Sequence, residues 1–161
     1  MIAVMASIKP RHNKNILNYI KWWEIRKMFP LDYVGWVYIY NTKDTEHGYL
    51  TNAYVGGKLE FITSFSKHEK YRGKVIARFW CDRVEEIEFD LGEKEWFTES
   101  CPEEKALLKE SCLQDYELDV YLGGKNGRAV HIQKVEIFNT PKSLSEFNLV
   151  RAPQSWCYIE V

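Results

Sequence analysis

Apolar and polar positions follow two periods along this chain, and each change of period marks an element. Ala3 to Ile8 is a short, almost wholly apolar run, the pattern of a buried strand. Pro10 stands where a first helical turn tolerates proline, and Ile16, Leu17 and Ile20 form one apolar face, which predicts a helix ending near Asn18 or Tyr19. Trp23 and Ile25 then alternate with Trp22, Glu24 and Arg26 at strand period, so that one set points inward and the charged set points the other way, toward a cleft. Gly35 to Tyr40 is rich in residues that favour extended structure and is the clearest next strand.

The pattern loosens over residues 41–72. Gly48, Gly56 and Gly57, several hydroxyl residues and many charges surround two short apolar pieces, Tyr54-Val55 and Leu59 to Ile62. This reads as an elaborated connection, with a hairpin turning at Gly56-Gly57, of the kind that carries specificity. Gly73 to Phe89 has bulky residues on both alternating sets and predicts one long central strand, followed by Glu85, Glu86 and Glu88 as a solvated acidic run. Two helices are expected, Pro102 to Cys112 and Gln114 to Leu122, the second closed by Gly123-Gly124. Arg128 to Phe138 alternates as a single strand, Ser145 to Phe147 makes a turn after Pro141, and Ser155 to Val161 supplies a last strand that closes a barrel.

Length and composition fit one domain over residues 1–161, long enough to bury a core. A formal net charge of −1 excludes a polybasic nucleic-acid binder, but the charge is uneven. Lys9, Arg11, Lys14, Lys21, Arg26 and Lys27 face only Glu24 in their stretch, whereas acids dominate from Glu85 to Asp119, which reads either as one face that attracts an anion and another that repels it or as two ordinary solvated faces. Cys81, Cys101, Cys112 and Cys157 show no paired spacing, and His12, His47, His68 and His131 lack the spacing of metal ligands. No metal and no cofactor is expected. There is no signal-peptide pattern and no apolar run of membrane-spanning length, which predicts a cytoplasmic protein with reduced thiols and no membrane contact.

Residues 7–27 concentrate the candidate chemistry. A strand, a helix opening at Lys9-Pro10 and a second strand form a corner where unpaired helix N–H groups favour an anion. Lys9 reaches a phosphate or a base carbonyl there as a flexible point charge. Glu24 and Arg26 lie two residues apart on one strand face and make an ion pair, a ligand-reading pair, or both: an arginine held by a carboxylate is set to bind an anion bidentately, and a glutamate accepts from a base amino group. Trp22, Trp23, Trp36 and Tyr40 are candidate stacking groups, although six tryptophans in a small barrel are mostly core; Trp22 is the exception because it shares its predicted face with Glu24 and Arg26. His131 reads as a partly buried structural histidine or, near a pocket, as a general acid or base.

The same stretch resembles the opening of the ASCH family within the PUA-like superfamily. There Ser-Ile-x-Pro starts a short helix, as Ser7-Ile8-Lys9-Pro10 does here, and a Gly-x-Lys-Thr-x-Glu-x-Arg run follows. Lys21, Glu24 and Arg26 fit that run, with Trp22 in place of threonine. The likeness continues in Gly73 to Ile76, Tyr121 to Gly124, Val130 to Ile132 and Pro141 to Phe147, and Arg151 to Tyr158 resembles the ending of ASCH-like proteins of phages and prophages. The resemblance implies an α+β fold, a PUA-like partly open β-barrel flanked by short α-helices. It implies RNA or modified-nucleotide binding, with single-stranded DNA as a further ligand class. The ligand would lie in the cleft between the first helix and the Glu24/Arg26 strand, with Lys9, Trp22, Glu24, Arg26, Tyr40, His131 and Ser155 as binding residues.

An enzyme is the alternative, a nucleoside amidohydrolase or ribonuclease centred on Lys21 and Glu24. The amidohydrolase branch uses a lysine, a threonine three residues later and a later glutamate. Here Lys21 is present, Glu24 occupies the threonine position, and Glu110 or Glu117 would be the later acid. A carboxylate cannot be that nucleophile, which argues against this chemistry. The ribonuclease branch pairs a lysine with hydroxyl side chains, for which Lys21 with Tyr19 or Ser155 would serve. The third reading is a phage-related regulatory protein that docks a protein partner.

Overall fold

The computed structural model describes residues 1–43, 50–55, 58–62 and 70–161, with 50–55 and 58–62 described through their backbone alone. The proposed turn at Gly56-Gly57 lies outside the described residues. The chain divides into two compact units, one of residues 1–19, 35–80 and 134–161 and the other of residues 20–34 and 81–133.

The first unit is built on a sheet whose strand order, among the described residues, is β11-β1-β3-β6-β10-β4-β5. These strands are β1 (Ile2–Ile8), β3 (Gly35–Asn41), β4 (Leu50–Val55), β5 (Lys58–Ile62), β6 (Lys74–Cys81), β10 (Gln133–Lys142) and β11 (Trp156–Glu160). β1 is an inner strand whose consecutive residues Ala3 to Ala6 are all buried: β3 runs parallel to it, with Val4 beside Val37 and Ile8 beside Asn41, and β11 antiparallel, with Ala3 beside Ile159. Parallel strands need a crossover, and α1 (Pro10–Leu17) begins it. Pro10 occupies the first turn of α1, and Ile16 and Leu17 are buried. β4 and β5 pair antiparallel, Val55 opposite Lys58. Ala3, Met5, Tyr38, Tyr40, Val75, Phe147 and Ile159 form a core cluster, with Phe147 supplied by a 3-10 turn (Leu144–Phe147) closed by a Ser143–Glu146 capping box.

The second unit has an antiparallel sheet of its own in the order β2-β9-β7-β8: β2 (Trp23–Arg26), β9 (Gly127–His131), β7 (Val84–Asp90) and β8 (Glu95–Phe97). Leu107 of α2 (Glu104–Ser111) and Leu118 and Leu122 of α3 (Asp115–Leu122) pack in one cluster with Trp23, Ile25, Ile87, Trp96 and Ala129 of the strands. Helix and sheet each bury one apolar face against the other. Gly123 ends α3 in the left-handed conformation at φ 59°.

Two expected strands are each divided in the structure. The run from Gly73 to Phe89 is β6 and β7, members of different sheets, broken at Asp82-Arg83, where the Arg83 carbonyl already accepts from His131 N at 3.1 Å. The run from Arg128 to Phe138 is β9 and β10, broken at Ile132, whose N–H donates to the Trp22 carbonyl at 2.8 Å; Lys134 just beyond has φ 41°. In both places the alternation is interrupted, Val84 and Glu85 being buried in succession after the exposed Arg83 and Gln133 and Lys134 being exposed in succession, a break short enough for the single-strand reading to pass over. Glu85 is another correction: in β7 it is 8 % exposed, while Glu86 and Glu88 are exposed.

Candidate functional site

β2 carries the charged set into the interior. All four of its residues are buried, Glu24 at 5 % exposure and Arg26 at 8 %, and Lys21 just before the strand is at 2 %. Burying a charge costs several kcal/mol unless partners replace water. Lys21 Nζ donates to the Ser111 carbonyl at 2.5 Å and lies 3.9 Å from Glu24 Oε1, which also accepts from Ile25 N at 3.0 Å. Glu24 Oε2 is buried with no hydrogen-bond partner. Across the ladder Arg26 stands opposite Arg128, whose guanidinium is 3.7 Å from Glu86. The Tyr121 phenol of α3 feels both strand charges: burial pushes it above its ordinary value, Arg26 lowers it and Glu24 raises it. Its ring is partly exposed beneath the Lys27 ammonium, 5.1 Å from the ring centre.

Trp22 precedes the strand. Its N–H donates to the Glu110 carbonyl at 2.7 Å, and its side chain is 52 % exposed, unlike that of Trp23, which fills the core. The Glu110 side chain lies 2.7 Å from Cys101 Sγ; burial first and this carboxylate second push the Cys101 thiol up to about 12. Glu117 is in α3.

A second network surrounds His131 in the same unit. His131 Nδ1 lies 2.6 Å from Asp82 Oδ1 and 3.1 Å from Arg83 Nη1, and the ring packs against Trp23 at 4.6 Å. A carboxylate only accepts, so Nδ1 carries the proton toward Asp82. Arg83 lies over the Trp23 ring and donates to Glu85 at 2.9 Å and to Ser100 Oγ at 3.2 Å. Glu85 also accepts from the Ser100 backbone at 2.7 Å and from its hydroxyl. Burial alone would raise both carboxyls. The His131 hydrogen bond and the His131 and Arg83 charges outweigh it at Asp82, the Ser100 and Arg83 donors outweigh it at Glu85, and both are held below their ordinary values.

The remaining predicted residues belong to the first unit. Lys9 is the exposed N-cap of α1, with no side-chain cap and no acid in the first turn. Tyr40 is buried in the core cluster, and burial raises its phenol. The exposed Ser155 accepts from Ser7 N through its carbonyl at 2.9 Å, and Tyr19 donates its hydroxyl to the Val135 carbonyl at 3.3 Å. Trp36 packs edge-on to Trp80 and under the Arg78 guanidinium, 3.9 Å from the ring centre. Structure thus brings Lys21, Glu24, Arg26 and Tyr121 together in one unit, and His131 with Asp82, Arg83, Glu85 and Ser100. Arg83 and Glu85 have the same two-residue strand spacing as Glu24 and Arg26, a signal that sequence reasoning passed over; Tyr121 and Ser100 have no local signal.

The class defined by this architecture is α+β. Among solved structures the chain is similar to ASCH from Zymomonas mobilis, at 15 % identity over 98 % of this chain and 87 % of that one, with a TM-score of 0.61. A serine-to-alanine variant of the same protein matches at 15 % identity and TM-score 0.62, and a tyrosine-to-phenylalanine variant at 16 % identity, 98 % and 89 % coverage and TM-score 0.60. The fold is the one these ASCH structures have. No family model matches the chain, and no curated protein does.

Proposed function

We propose that this chain binds single-stranded RNA or a modified nucleotide, with Glu24 reading a base edge, Arg26 supporting it and Trp22 stacking on a base. The observation that carries the reading is Glu24 Oε2, a carboxylate oxygen inside the protein with an unused acceptor site. An orphan of this kind costs about 1–3 kcal/mol, which an amino or imino donor of a base would recover once the side chains that cover it move aside. Trp22 offers the large exposed ring that stacking requires, and Tyr121 is a second aromatic beside Glu24 and Arg26. Lys9, at the N-terminus of α1, is assigned a backbone phosphate. The ASCH-like fold supports this ligand class, and the C-terminal run Arg151 to Tyr158 supports the phage or prophage type. All four cysteines are free thiols, which suits the reducing cytoplasm.

The test is a thermal-shift and mass-spectrometry screen with nucleosides, modified nucleosides and short RNA and DNA oligonucleotides, on wild type, Glu24→Gln and Trp22→Ala. Stabilisation with unchanged ligand mass, lost in Glu24→Gln, is the expected result. Trp22→Ala should weaken binding by about 1–3 kcal/mol, roughly 5- to 150-fold, with the melting temperature retained. A changed ligand mass, lost in Lys21→Ala under conditions where its unfolding curve shows that variant folded, would put the hydrolase in its place. Silence across the panel would leave the protein-partner reading.

A further inference from the structure

Three segments of the first unit meet at one end of its sheet. Because β1 and β3 run parallel with Ile8 beside Asn41, both leave the sheet on the same side, β1 into Lys9 and α1, β3 into Thr42 and Lys43. Asn41, fully buried, draws the third segment in. Its side-chain amide donates to the Tyr71 carbonyl at 3.2 Å, its own carbonyl accepts from Gly73 N at 3.0 Å, and its Oδ1 accepts from the buried Asn13 amide of α1 at 2.9 Å. Arg72 Nη2 donates to the Lys43 carbonyl at 3.3 Å. Gly73 has φ +64°, and a Cβ there would stand 2.7 Å from Lys43 Cε, so glycine is what lets the lysine side chain lie against this backbone.

The result is a cavity of about 500 Å³ lined by Lys43, Arg72, Gly73 and Lys74. The side-chain charges of these described lining residues are all of one sign. Among the described residues none of the three cations is ion-paired to a carboxylate, in contrast to Lys21, Arg78, Arg83, Arg128 and Lys142. Three like charges held together by a buried asparagine network repel one another and call for a counter-charge. Two ammonium point charges and a planar guanidinium suit the oxygens of a tetrahedral oxyanion. We propose that this cavity is a phosphate-binding site, contacting a backbone or terminal phosphate of the ligand. The identity of that ligand rests on the nucleic-acid reading above; the anion site itself does not.

Calorimetric titration with inorganic pyrophosphate, on wild type and on Lys43→Gln/Lys74→Gln, tests the site directly. Lys43 is exposed and Lys74 half-buried, neither is ion-paired among the described residues, and glutamine keeps most of each aliphatic stem, so the double variant should keep the wild-type melting temperature. Saturable binding by wild type that the double variant loses at least about tenfold is the expected result. Single-stranded RNA titrated over a range of salt concentrations should show the salt slope of log K reduced by about 1.4 in the double variant. No pyrophosphate binding by wild type, or equal binding by the double variant, overturns the site. Pyrophosphate binding lost in the double variant while wild type ignores RNA sustains the site and overturns the nucleic-acid reading. RNA binding with an unchanged salt slope overturns the assignment of its phosphate to this cavity.

Discussion

The two units handle charge in opposite ways. In the second unit Lys21, Glu24 and Arg26 are buried along one strand entry, and Glu85 sits under Ser100 and Arg83. In the first unit Lys43, Arg72 and Lys74 stand at a strand end with no carboxylate among the described lining residues. The difference teaches that a charged residue in a motif can act first on the fold. Lys21 holds the end of α2 through the Ser111 carbonyl, so its removal tests stability before chemistry, whereas the surface cations can be neutralised at little structural cost.

The largest effect should come from Lys21→Ala, which leaves the Ser111 carbonyl and the Glu24 carboxylate without their buried cation. A loss of about 3–5 kcal/mol in urea unfolding is expected, and a loss under 1 kcal/mol would break the comparison. Gly127→Ala comes next. A Cβ there would lie 2.5 Å from Leu122 Cδ2 and 3.3 Å from the Arg26 carbonyl, so the buried Leu122 side chain must repack, at about 1–3 kcal/mol, read as a lower denaturation midpoint. Acid should then act on the second unit through Asp82 and Glu85. Their carboxyls are held low in the folded state, so the stabilisation they give is complete above the unfolded values near 4 and is lost as pH falls through the lowered ones. Hydrogen exchange below about pH 4 should accelerate in β7 and β9, and Asp82→Asn should flatten that dependence. The smallest effect belongs to Lys43→Gln/Lys74→Gln, within about 0.5 kcal/mol of wild type by the same unfolding assay.

Much of the fold was legible in local pattern. β1, α1, β3, α2, α3 and β11 lie where apolar period, Pro10 and Gly123 place them. The breaks at Asp82-Arg83 and at Ile132 were passed over, because each interrupts the alternation for only about two residues, which a bulge within one strand does as well. β8, three residues long, is too short for a period to show. For the site, the motif drew attention to Lys21, Glu24 and Arg26, but not to their burial: alternation says that two sets of side chains face opposite ways and is silent on whether the polar set meets water or α3.

By itself, then, the sequence determined which residues are apolar at which period, where helices start and stop, and which charged residues share a strand, since these depend on neighbours a few positions away. Tertiary structure alone decided that Lys21 ends on the Ser111 carbonyl, that Glu24 keeps an unused buried oxygen, and that Lys43 meets Arg72 and Lys74. Each of these joins groups far apart in the chain, and burial and ion pairing are properties of that meeting, not of any residue taken alone.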